Sequence, residues 1–200
     1  MKVKKFNCEE EWMSAREGII TGTKLKGLLP KKNGNGYRVG FYQLIAERIA
    51  VPPSNENPMD RGKRLEEIAI EEFEKKTGKK VNKDLVIWYR DDDERIAISP
   101  DGFIGKKEAI EVKCLSSAQF IEAWLTKKIP AEYEAQVIQY FIVNEDLQKL
   151  YFTFYDPRMP KPLFWIEVKR EEVQDKVNEY LELEREALRK IEQIEAEFTF

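Results

Sequence analysis

Apolar residues recur every three to four positions in several stretches of this chain, and between them they gather in short runs. The clearest periodic stretch is Met59–Thr77, where Leu65, Ile68, Ala69 and Phe73 share one helical face, Glu72 flanks it and Gly78 is placed to stop it. Asn7 and Glu10 have capping-box spacing ahead of a short helix that ends at Gly18, and Trp12 is its inward residue. A second short helix fits Lys24–Leu29, and a third runs from Tyr37 to Ala50 before Pro52-Pro53. Ser116 or Ser117 caps a helix through Leu125, Pro130 opens another that reaches about Val143, and Asn144 can close it. The last helix spans about 171–197, with Val173, Val177, Tyr180, Leu181, Leu188, Ile191 and Ile194 as its apolar stripe.

The remaining apolar runs are short and rich in β-branched and aromatic residues, which predicts strands. They are Lys80–Arg90, Arg95–Ser99, Ala109–Cys114, Lys149–Tyr155 and Leu163–Val168. Asp91-Asp92-Asp93-Glu94 reads as a turn, and Gly105-Lys106-Lys107 reads as the turn of a hairpin around the centre of the sheet. Helices first, then mostly strands, then two helices, two strands and a helix predict one α/β domain over residues 1–200, with a central mixed sheet flanked by helices.

Composition narrows what such a domain can do. Two hundred residues, 42% hydrophobic and 12% aromatic, make an ordinary globular chain, and no apolar run approaches a membrane span. Met1-Lys2-Val3-Lys4-Lys5-Phe6 lacks the apolar core of a secretory signal, so a cytoplasmic protein is expected. The two cysteines, Cys8 and Cys114, are too few for a disulfide framework or a cysteine-ligated cluster. The chain contains no histidine, which removes Ser-His-Asp triads, Cys-His dyads and histidine metal sites together. Catalysis here has to run on carboxylates, lysine or tyrosine. The net charge of −3 hides a division: between Glu171 and Glu197 lie ten acidic and four basic residues, which leaves the rest of the chain at +3.

One stretch carries chemistry. Ser99-Pro100-Asp101-Gly102 is followed by Glu111-Val112-Lys113. Alternation along a strand sends Glu111 and Lys113 to one face with Val112 behind, and Asp101 reaches Glu111 across the hairpin. Two carboxylates and the Val112 carbonyl are hard oxygen donors suited to Mg²⁺ or Mn²⁺, and Lys113 is an amine beside them. Alternatively, Pro-Asp-Gly is a plain turn and Glu-Val-Lys a strand edge with a weak ion pair. Upstream, Arg16, Thr21 and Thr23 surround a turn whose hydroxyls and N–H groups either hold an anion or cap the next helix. The basic loop Lys31–Gly36 is either solvated or a contact to a phosphate backbone.

Pro100-Asp101 with Glu111-Val112-Lys113 resembles the PD-(D/E)xK nuclease signature, and the chain as a whole resembles the lambda exonuclease and YqaJ-type viral recombination nucleases. The likeness runs in order through Trp12, Arg16, Gly18, Thr21 and Thr23, then Gly62-Lys63 with Glu66, then Tyr89-Arg90-Asp91. It continues through Ser99–Gly102, Glu111–Cys114, Tyr133 with Ala135-Gln136-Val137, and Tyr155-Asp156-Pro157-Arg158-Met159. By resemblance, the core is restriction-endonuclease-like, Asp101 and Glu111 hold the metal, Lys113 is the catalytic lysine, Glu66 is a helical acid near the metal, and Gln136 stands beside the site. Arg16 and Thr23 would line a 5′-phosphate pocket, with threonine where the family pattern has serine. The resemblance implies a Mg²⁺-dependent 5′-to-3′ exonuclease on linear double-stranded DNA that leaves 3′ single strands for phage or prophage recombination. It also implies a ring-shaped homotrimer and a partner protein that anneals single strands. The same metal site would serve a structure- or sequence-selective endonuclease, and a non-catalytic DNA-binding module is the rival from another class. A Cas4-like nuclease is disfavoured by the cysteine count.

Overall fold

The computed structural model describes residues 38–49 and 58–198, together with Cys8 and Glu11. The expected helices at 7–17 and 24–29, the Lys31–Gly36 loop and the Arg16–Thr23 turn lie outside these residues.

The first described helix, α1, is Val39–Ile49, and α2 is Pro58–Thr77. Along α2 the buried positions Ala69, Ile70 and Phe73 form the inward face. Glu66 lies one turn before Ile70 and is half-buried for that reason. Gly78 closes the helix at φ +72°, donating its N–H to the Glu74 carbonyl, in a backbone conformation that favours glycine.

The long run Lys80–Arg90 is mostly irregular. Only Trp88–Arg90 forms a strand, β1, which pairs antiparallel with β2, Asp93–Ile98, around the Asp91-Asp92 turn. The run Arg95–Ser99 therefore belongs to a separate two-stranded ribbon. The partner of the motif strand is instead a short β3, Gly102–Ile104, which begins directly after Asp101 and pairs antiparallel with β4, Glu108–Lys113. Gly105, at φ +59°, starts the connecting turn over residues 105–107. Three residues of β3 are too few for a periodic signal, and its position is set by close approach. A Cβ on Gly102 would lie 2.5 Å from Val81 Cγ1 and 2.9 Å from Ile110 Cγ2. Asn82 and Phe103 bridge there through both of their backbone hydrogen bonds.

Helix α3, Ser117–Thr126, is capped by Ser116, whose side chain accepts from the Gln119 N–H. A single 3₁₀ turn, Ala131–Tyr133, leads into α4, Glu134–Val143, and Asn144 caps its end, so the helix predicted from Pro130 begins as a tighter turn. Strands β5, Lys149–Tyr155, and β6, Leu163–Lys169, complete a four-stranded sheet of order β3-β4-β5-β6, a mixed sheet flanked by helices as the sequence implies. The chain continues without a loop into α5, Arg170–Phe198. No helix among the described residues is long and apolar enough to cross a membrane.

Contacts divide the chain into two compact units that interleave along the sequence. One takes the chain up to Leu65, Cys114–Lys128 and Phe154–Phe164; there Tyr42, Ala118 and Ile121 form a core on which Phe41, Ile45 and Met159 pack. The other takes Glu66–Lys113, Ile129–Thr153 and the chain from Trp165 onward. In it Phe73 meets Tyr151 and Trp165 with ring centroids 5.0 and 5.1 Å apart, and Ile110, Tyr140, Phe141, Ile142, Leu150 and Phe152 are fully buried.

Candidate active site

The second unit contains Asp101, Glu111, Lys113, Gln136 and Glu66. Strand β4 is apolar at Ala109, Ile110 and Val112, and all three are buried along with Glu111, which is only 2% exposed. A carboxylate this deep needs donors on both oxygens. Gln136 Nε2 donates to Oε1 at 2.6 Å, the Tyr140 hydroxyl donates to Oε2 at 2.5 Å, and Lys113 Nζ lies 2.6 Å from Oε1. Gln136 and Tyr140 are four residues apart on α4, so one helical face delivers both donors.

Asp101 stands at the start of β3, where its Oδ2 accepts the Val112 N–H at 2.7 Å. That bond spans the hairpin and brings the Asp101 carboxyl up to Glu111. Burial and then the Glu111 charge push the Asp101 pKa up to about 7; Glu66 adds to this, while the Val112 N–H and Lys113 work against it. Burial opposes the charge on Lys113, but Glu111 outweighs it and holds the ammonium above its ordinary value. Burial, followed by the neighbouring Glu111, also raises the Tyr140 pKa, so this hydroxyl keeps its proton and acts as a donor.

Of the residues singled out in the sequence, Asp101, Glu111, Lys113 and Gln136 thus meet at one place, and Glu66 is close enough for Asp101 to feel its charge. Among the described residues no three acidic or cysteine side chains form a metal-binding cluster. The arrangement is a two-carboxylate site, completed by backbone and by an acid at longer range. Arg16, Thr21 and Thr23 fall outside the described residues. The sequence reading gave Tyr140 no role, although its four-residue spacing from Gln136 was the available signal. Tyr133, named only as part of the likeness, lies with its ring centroid 5.0 Å from Lys113 Nζ.

The buried Glu111 carboxylate and the half-buried Asp101 carboxyl, close to each other beside one ammonium, form an arrangement that a hard divalent cation would relieve. The donor set fits Mg²⁺ or Mn²⁺, since such ions accept one or two carboxylates and retain water elsewhere.

Comparison with known proteins returns the same grouping that the motifs indicate. The family model of the YqaJ-like viral recombinase domain matches residues 11–146. An uncharacterized protein YqaJ of Bacillus subtilis (strain 168) is 28% identical over 148 residues, 72% of this chain and 45% of that protein, so the chain spans about half the length of this relative. Two crystal structures are similar in fold at 25% identity, each covering 95% of this chain and 100% of the other. One is the alkaline exonuclease LHK-Exo from Laribacter hongkongensis, TM-score 0.55. The other is LHK-Exo in complex with dAMP, TM-score 0.56.

Proposed function

Because the chain belongs to the YqaJ-like viral recombinase domain family, we propose that it is a divalent-metal-dependent exonuclease that digests linear double-stranded DNA from the 5′ end. It would leave 3′ single strands for phage-type recombination in a bacterial cytoplasm, and residues 1–200 would act as one nuclease domain. The observation that carries the reading is the pair of carboxylates, Asp101 and Glu111, close enough for one to raise the pKa of the other, with Lys113 2.6 Å from Glu111 Oε1. The LHK-Exo neighbour was solved with dAMP, a deoxynucleoside monophosphate, which is the class of product that stepwise hydrolysis of DNA releases.

In this reading Asp101, Glu111 and the Val112 carbonyl hold Mg²⁺ or Mn²⁺, with Glu66 beside them. The bound ion supplies Lewis-acid polarisation of the scissile phosphate and lowers the pKa of water. Gln136 and Tyr140 keep both Glu111 oxygens fixed, so the carboxylate meets its ligand without reorganising. Lys113 places a full positive charge beside the phosphate oxygens on which negative charge develops as water attacks phosphorus and the bond to the leaving oxygen breaks. The sugar–phosphate chain is thereby cut without a histidine. Arg16, Thr21 and Thr23 are proposed to hold the terminal 5′-phosphate and so to select the strand end. The assembly proposed from the resemblance is a homotrimer working with a single-strand annealing protein.

The test uses linear duplexes with and without a 5′-phosphate, in Mg²⁺ and in EDTA, with Asp101→Ala alongside. Loss of full-length DNA in Mg²⁺ alone, faster with the 5′-phosphate, is expected. Digestion by the variant or in EDTA would overturn the metal site, and cutting of closed circles would move the reading to an endonuclease. Sedimentation at several concentrations tests the ring, and a monomer throughout would remove it.

A further inference from the structure

We propose that Tyr133 is a positioning residue for Lys113, holding the ammonium by the face of its ring and not by its hydroxyl. The proposal rests on the nuclease reading for its kinetic consequence but not for the contact itself. Lys113 Nζ lies 5.0 Å from the Tyr133 ring centroid and 2.6 Å from Glu111 Oε1, so the cation is held between an aromatic ring and a carboxylate. The Lys113 side chain is only 22% exposed, and a partly desolvated ammonium gains more from a ring quadrupole than one in open water.

The ring is well placed to act as a fixed wall. Its neighbour is Phe152, which is fully buried, with centroids 5.6 Å apart and planes tilted by 41°. Its backbone is set by the 3₁₀ turn, through the Tyr133 N–H bond to the Pro130 carbonyl at 3.0 Å, and by its place as the residue that opens α4. The same helix brings Gln136 to Glu111 three residues later. One local structure therefore sets the carboxylate donor and the lysine wall together. The hydroxyl interacts with Glu132 and is also near enough to Lys113 to feel its charge, so the Tyr133→Phe variant is what separates the ring from the hydroxyl.

The ring also supplies something the carboxylate does not. Gln136 Nε2 and Lys113 Nζ share Oε1 of Glu111, the carboxylate that would hold a bound cation in the proposed function. The contact with the ring costs no ligand oxygen. It confines the ammonium whether or not Glu111 is engaged elsewhere.

Three substitutions separate the ring from the hydroxyl and from simple space filling. Tyr133→Leu and Tyr133→Ala remove the π face, with and without most of the bulk, and Tyr133→Phe keeps it. For cation–π contacts of this kind, about 5- to 30-fold loss of kcat is expected for the Leu and Ala variants, with KM for DNA within about twofold of wild type. Tyr133→Phe should recover activity to within about threefold of wild type. A Phe variant as slow as Ala, a Leu variant as fast as wild type, or a loss confined to KM would each overturn the proposal. A second measurement is independent of nuclease activity: side-chain NMR of the metal-free protein, with Lys113 assigned through Lys113→Arg. Ring-current displacement of the Lys113 ε-methylene signals should be present in wild type and Tyr133→Phe and absent in Tyr133→Leu. Undisplaced signals in wild type would overturn the contact. Displaced signals in a protein without nuclease activity would overturn the nuclease reading and the kinetic role while leaving the contact standing.

Discussion

Replacing Asp101 by asparagine should stabilise the metal-free protein while removing its metal response. The carboxyl is carried from an ordinary value of 3.8 to about 7 by burial and by Glu111, so above pH 7 the folded protein must hold a charge that it resists. A displacement of that size corresponds to a ceiling of ~4 kcal/mol of destabilisation at pH 8. Asparagine keeps an oxygen for the Val112 N–H at 2.7 Å and removes the repulsion, but it remains a buried polar group, so a gain of about 1–3 kcal/mol is expected. For a chain of this size each kcal/mol is worth about 2–4 °C in Tm. The pH dependence follows from the same numbers. Between about pH 4 and 7 the unfolded carboxyl has lost its proton while the folded one retains it, so the unfolded state binds fewer protons and wild-type stability falls as pH rises through this window. The asparagine of the Asp101→Asn variant contributes no such slope and relieves its partner Glu111 as well, while the carboxylates remote from this pair cancel when the two proteins are compared. Urea unfolding in EDTA at steps from pH 4 to pH 8 should therefore show curves that coincide near pH 4 and separate toward pH 8, with the variant higher. Mg²⁺ at pH 8 should raise wild type by mass action and leave the variant unmoved. Parallel profiles, or a variant less stable than wild type at pH 8, would refute the buried-carboxylate argument.

Other substitutions probe the rest of the framework. Tyr140→Phe removes the hydroxyl donor to Glu111 Oε2, so Mg²⁺ affinity measured by calorimetry should fall by about 10-fold, as for other residues that orient metal ligands. Gly102→Ala puts a methyl 2.5 Å from Val81 Cγ1 and 2.9 Å from Ile110 Cγ2; thermal melts should show a loss of about 1–3 kcal/mol. Arg170→Ala leaves the carbonyls of Phe141, Asn144 and Leu147 without their guanidinium donor and should cost about 2–4 kcal/mol in urea, with Arg170→Lys recovering only part of it because an ammonium lacks the planar fork. Lys75→Ala removes an exposed pair with Glu72 and should change stability by less than about 0.5 kcal/mol.

The helices from Met59 onward and strands β5 and β6 were legible because each repeats its own period or begins and ends on residues with a local preference. Gly78, Ser116 and Asn144 act where their chemistry predicts. The Lys80–Arg90 run misled because a local density of β-forming residues does not itself supply a partner strand or a buried face. Leu85, Ile87 and Tyr89 are exposed, and beyond the isolated Asn82–Phe103 bridge a strand forms only over Trp88–Arg90. Strand β3 was invisible for the opposite reason: it exists because Gly102 lets the backbone pass against Val81 and Ile110, a contact with no trace in periodicity.

By itself the sequence narrowed the kind of chemistry available here. Without histidine, catalysis in this chain has to run on carboxylates, lysine or tyrosine, and Asp101, Glu111 and Lys113 at strand spacing offer one such grouping; that follows from side-chain type and local period. Tertiary structure decided how strongly those groups interact. Glu111 lies on a strand whose neighbours Ile110 and Val112 are also buried, α4 brings Gln136 and Tyr140 to its two oxygens, and the Val112 N–H draws Asp101 toward it. Burial and the close approach of like charges belong to residues far apart in the chain, so the environment that raises Asp101 to about 7 exists only once they are packed together.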